Sequence, residues 1–210
     1  YWKCLFPKPA QLSLSESTPQ IPLTTILDHF WREECRQKFH LSPMRGLFKS
    51  CSESFMSKYA NRVLGSEGVH FSPEVLIVFA HESGPIHSNS FISSLCLQAG
   101  KINQSHPFLP LLQSVQETNY AVIDVCLPTR SWKLKQTSLG NEVEAQELNV
   151  LFTLIWDRLI ATSRCKNVFF VASGSPIFSI ANLINIRNVE DQIRGCFFFS
   201  SSLFIPTISQ

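Results

Sequence analysis

Asn167-Val168-Phe169-Phe170-Val171-Ala172-Ser173-Gly174-Ser175-Pro176 constrains this chain more than any other stretch. A short run rich in β-branched and aromatic residues stops abruptly at small residues, and a helical pattern then runs from Pro176 to about Ile186. That order predicts strand, tight turn and helix. The same local plan builds a nucleophile elbow, whose strained turn lifts a catalytic serine above a sheet. An elbow needs Gly-x-Ser-x-Gly, because only small residues allow the turn and let the helix pack close behind it. Here the five residues are Ala172-Ser173-Gly174-Ser175-Pro176, with glycine at the centre. Centring on Ser175 instead puts Ser173 and Ile177 where the glycines belong. The turn is expected; its nucleophile is not.

The other segments supply a sheet for that turn. Val75 to Ala80 and Tyr120 to Leu127 are continuous apolar runs whose length and branching suit strands buried on both faces. With Val168 to Ala172 and Gly195 to Phe199 they make the expected strands. Helical spacing separates them. It runs from Thr25 to His40 through Ile26, Leu27, Phe30 and Trp31, and from Leu47 to Leu64 through Phe48, Cys51, Phe55, Tyr59 and Val63. A short helix near Phe91 to Leu97 follows, then one over Pro107 to Glu117 through Phe108, Leu111, Leu112 and Val115. Asn141, with Glu144 as its capping-box partner, opens a long helix striped by Leu148, Leu151, Phe152, Ile155, Leu159 and Ile160. Strands alternating with helices through right-handed crossovers put helices on both faces of a mostly parallel sheet. The expected fold is a three-layer α/β-hydrolase-like domain over residues 25–210. Residues 1–24, with Pro7, Pro9, Pro19 and Pro22, read as an extended Pro/Ser-rich arm.

Bulk properties narrow the function. Charged residues make up 16% of the 210 and hydrophobic ones 44%, against a usual charged share of about 25%. A surface so poor in charge is expected to be partly covered by a partner. A net charge of +2 is too small to argue for nucleic acid or membrane. The seven cysteines occur singly, with no Cys-x-x-Cys pair and no Cys/His cluster at zinc spacing, so neither a metal nor another cofactor is expected. That usage suits a reducing compartment, nucleus or cytoplasm. No apolar run reaches the ~18 residues of a membrane-spanning helix. The chain opens on Tyr1, so its start says nothing about a leader.

Catalysis at the elbow is expected to be lost. A triad in the order serine, acid, histidine needs a histidine after the elbow. All six, His29, His40, His70, His81, His87 and His106, precede it. His81-Glu82-Ser83-Gly84 ends an early strand, as an oxyanion-hole loop would, and reads otherwise as a tight turn. His81, Glu82 and His87 have no fourth metal ligand nearby in the sequence. Arg130, Trp132, Lys133 and Lys135 mix cations with an aromatic, a combination that can hold phosphate and stack a base, or simply form a solvated loop. The partner-contacting residues suggested are Trp2 and Phe6 on the arm and Trp132 and Lys133 on that loop. A serine hydrolase working through Ser175 or Ser83 is the enzymatic alternative.

Three blocks carry a resemblance: Val75-Leu-Ile-Val-Phe-Ala-His-Glu-Ser-Gly84, Asn119-Tyr-Ala-Val-Ile-Asp-Val125, and Trp156-Asp-Arg-Leu-Ile160 followed by Asn167-Val-Phe-Phe-Val-Ala172. Over roughly residues 45 to 203 the chain resembles the domain family of Argonaute-binding protein two. That domain is shared with an animal cotranscriptional regulator and with fungal class II histone deacetylases. Animal relatives read Asn-Val-Phe-Phe-Val-Ala-His-Ser-Tyr-Gly-Gly in the third block. Against that pattern Ser173 stands for histidine, Gly174 for serine, and Pro176 and Ile177 for glycines. The Asp-Ser-x-His of relatives falls near Ser200 to Leu203, where it is missing. The resemblance implies a noncatalytic subunit of an Argonaute siRNA chaperone complex, working beside a second Argonaute-binding protein on Argonaute that carries duplex siRNA. Heterochromatin assembly would be the outcome. A deacetylase-associated module that dimerises and binds histones is the alternative the same resemblance offers.

Overall fold

A computed structural model describes residues 32–33, 35–71, 73–82, 109–118, 120–127, 138–163 and 165–199. The expected arm, the expected helix over Phe91 to Leu97 and half of the expected helix over Thr25 to His40 lie outside them. Residues 32–33 and 35–37 are helical. Cys35 among them and Phe39 just beyond are buried.

Six strands form one sheet: β1 (Ser42–Pro43), β2 (Val63–Gly65), β3 (Val75–Glu82), β4 (Ala121–Leu127), β5 (Asn167–Ser173) and β6 (Ile193–Phe199), in the order β1-β2-β4-β3-β5-β6. From β4 to β6 the neighbours run parallel; β1 and β2 are antiparallel additions at one edge. The four expected strands are present within two residues of their expected ends. Every residue of β4 is buried, as expected of a strand covered on both faces, including its one carboxylate, Asp124.

Four α-helices are described: α1 (Glu53–Tyr59), α2 (Leu109–Glu117), α3 (Ser138–Ile155) and α4 (Pro176–Ile186). They cover both faces. On one, a large apolar cluster joins Phe48, Tyr59, Leu151, Phe152, Ile155, Trp156, Ile177 and Ile180 to the even-numbered positions Leu76, Val78 and Ala80 of β3. On the other, Cys35, Phe39, Leu112 and Val115 pack against Phe79, Val122, Cys126 and Val171. Alternation along each strand divides the two cores. Each fully buried large side chain contributes about 1.5–3 kcal/mol relative to exposure. The three-layer α/β arrangement is the expected one.

Three expectations are corrected. The helical spacing from Leu47 to Leu64 marks buried positions, but not one helix. A 3₁₀ turn covers Arg45–Phe48, Ser52 caps α1 by accepting from the Phe55 N–H at 3.3 Å, and Val63 enters β2. Pairing of Val63 with Val125 and of Leu64 with Asp124 satisfies a strand there. Gly65 leaves room for the Met44 side chain, which would have to move if a Cβ stood 2.5 Å from its sulfur. Asn141 does not cap the long helix: α3 starts at Ser138 and places Asn141 inside its first turn. Leu111, expected on the inner stripe of α2, is exposed, while Leu112 and Val115 are buried.

The block Trp156-Asp-Arg-Leu-Ile160 is a π turn that ends α3. A wider turn at this point sends its side chains in different directions. Trp156 and Ile160 are buried, Arg158 donates through an Nη1 to the Leu47 carbonyl at 2.8 Å, and Asp157 faces Arg187 just past α4 with two contacts of 3.0 Å. Near the middle of α3, Glu147 accepts from Lys58 at 2.5 Å and from the Tyr59 hydroxyl at 3.2 Å, tying α1 to α3.

Candidate functional site

The strand-turn-helix forms as read. β5 ends at Ser173, Gly174 follows with φ +76°, and α4 starts at Pro176. A positive φ is costly for any residue with a Cβ, so glycine suits this point. The Ile177 and Phe178 N–H groups bond back to the Gly174 and Ser175 carbonyls at 3.2 and 3.3 Å. Proline in the first turn gives up no internal hydrogen bond. Ser173 and Pro176 are buried; Gly174 and Ser175 are half-buried.

The place of the missing nucleophile is taken by a carboxylate. Ser175 N–H donates to Glu82 Oε1 at 3.0 Å. In a working elbow, the N–H of the residue after the nucleophile helps to hold the oxyanion. Ser175 is the residue after Gly174, so that donor is committed to the chain's own side chain. A Cβ on Gly174 would stand 3.2 Å from Glu82 Cδ and 3.3 Å from Oε1. Absence of a side chain at 174 is therefore what lets Glu82 approach. The Ser175 side chain makes no capping bond to α4, and Glu82 reaches across from β3 to accept from the N–H of Ser175 itself, the residue at the N-cap. A negative charge there also suits the positive end of the helix dipole.

His81, beside Glu82 on β3, points to the opposite face of the sheet. Its Nε2 lies 3.0 Å from Asp124 Oδ1 on β4, and both side chains are shut off from solvent. Its Nδ1 is 3.5 Å from the Glu82 carbonyl oxygen. A histidine and a carboxylate so deeply buried are tolerated because each partners the other. The histidine that ends the early strand is thus joined to a carboxylate one strand away, rather than oriented toward Ser175. Two adjacent residues at the end of β3 anchor it on both faces, Glu82 to the start of α4 and His81 to β4.

Sequence reasoning missed Asp124, and it named Glu82 only as part of a candidate oxyanion loop or metal set, not as the partner of Ser175. Asp124 carries a signal: a lone carboxylate in Ala-Val-Ile-Asp-Val-Cys-Leu demands a buried partner. Glu82 carries none, because its partner is 93 residues away. Trp2, Phe6, Trp132 and Lys133 lie outside the described residues, as do Ser83, His87, Arg130 and Lys135. Among the described residues no group of three His, Cys, Asp or Glu side chains converges to hold a metal.

Comparison with known proteins places this geometry. Histone deacetylase clr3 of Schizosaccharomyces pombe is 23% identical over 194 residues, which cover 92% of this chain and 27% of that protein. The chain thus spans about a quarter of the length of that relative. A solved histone deacetylase from Saccharomyces cerevisiae matches with a TM-score of 0.65 at 15% identity, over 89% of this chain and 72% of that one. The solved structure of Clr3 matches with a TM-score of 0.58 at 17% identity, over 89% of this chain and 28% of that one. These structural likenesses concern the fold. The profile of the Arb2-like domain covers residues 23–210, and this chain belongs to the Arb2-like domain family.

Proposed function

We propose that this domain is a noncatalytic protein-binding module, a hydrolase-like scaffold whose elbow has been closed by its own carboxylate. The observation that carries the reading is the contact of Glu82 with Ser175 N–H across the bare Gly174. Three elements of acyl transfer are replaced together: the nucleophile by glycine, the oxyanion donor's free position by Glu82, and the later histidine by a serine-rich stretch. Membership of the Arb2-like family supports a role in binding rather than catalysis. In this reading the domain is a subunit of an Argonaute siRNA chaperone complex, in nucleus and cytoplasm. It holds, with a second Argonaute-binding protein, Argonaute loaded with duplex siRNA, and so serves RNA interference and heterochromatin assembly. Affinity purification of the full-length protein from its own cells tests this. Co-recovery of Argonaute with small RNA is the expected result, unchanged by Glu82→Gln. Labelling of the protein by a fluorophosphonate, lost on Ser175→Ala, would overturn the noncatalytic reading.

A second reading has its own support in the likeness to deacetylases. Here the domain is a deacetylase-associated dimerisation and histone-binding module. Recovery of a deacetylase and histones in the same purification, without Argonaute, would favour it.

A further inference from the structure

We draw no further inference here: the strongest candidate, the apolar face that Phe197 and Phe199 present on the edge strand β6, carries nothing because nothing among the described residues shows what covers it.

Discussion

Glu82 and Ser175 are joined by a single hydrogen bond of 3.0 Å, and the contact fits because the residue between turn and strand, Gly174, has no side chain. The bare Gly174 and the carboxylate beside it thus belong to one local arrangement. Restoring serine at 174 would not restore a catalytic site, since its Cβ would press on the group that occupies the oxyanion position.

Gly174→Ser therefore carries two penalties. One is the positive φ, roughly 1–3 kcal/mol; the other is crowding against Glu82. The expected loss is at least about 1 kcal/mol in urea unfolding. The double variant Gly174→Ser/Glu82→Ala is expected to lose less than the sum of the singles, because the crowding is gone. Strict additivity would show that the two residues do not touch.

Glu82 should behave as a helix cap supplied from a distant strand. Glu82→Ala is expected to cost about 0.5–2 kcal/mol, the range for removing a capping acceptor. Glu82→Gln keeps an oxygen acceptor and loses only the charge, roughly 0.3–1 kcal/mol. The order wild type, Gln, Ala in denaturation midpoint checks this; an Ala variant as stable as wild type would refute it.

The His81–Asp124 pair is buried on both sides, so removing one partner takes from the other the 3.0 Å contact between them. Asp124→Leu alone is expected to cost about 3–5 kcal/mol. Replacing both, as His81→Leu/Asp124→Leu, should recover much of that loss. Chemical denaturation of the two singles and the double completes the cycle. A double variant that is worse than either single would mean that each side chain has further obligatory partners.

Asp157 offers a pH test. Hydrogen bonding to Arg187 holds this carboxyl below its ordinary value of 3.8; burial opposes it, and the positive charge of Arg187 adds a smaller lowering. A depressed carboxyl stabilises the fold fully above that ordinary value, and the contribution is lost as pH falls through the lower folded value. Wild type should accordingly melt slightly higher than Asp157→Asn at neutral pH, with the difference shrinking as pH falls below the ordinary carboxyl value and in high salt. A difference that persists in acid would point to packing rather than charge.

Burial pushes the Cys196 thiol up to about 11, and only the thiolate reacts. At pH 8 iodoacetamide should label Cys196 far more slowly in the folded protein than in urea. Peptide mass spectrometry after timed labelling reads the ratio; equal rates would show that the strand is open at this point.

Much of this architecture is legible in the sequence, for local physical reasons. Val75 to Ala80, Val168 to Ala172 and the stripe from Leu148 to Ile160 announce themselves because strand and helix each impose a repeat on what must be buried. The strand-turn-helix with glycine at its centre is legible too, since that turn is a local fact. β2 was not: Val63 and Leu64 match a helical stripe as well as a strand, and only an edge waiting beside β4 decides between them. Nor was the start of α3, where the cap expected at Asn141 yields to a helix already under way.

By itself the sequence determined the four parallel strands, the helices between them in outline, and that glycine stands at the point of the turn, though not β2 or the break in the stretch from Leu47 to Leu64. Only the tertiary structure decided what fills that point. Backbone propensity and hydrophobic period act over a few residues, whereas the meeting of Glu82 with Ser175, and of His81 with Asp124, depends on strand order β4-β3-β5 and on which face each side chain leaves. No local pattern encodes that geometry, because it exists only after the strands have found their neighbours.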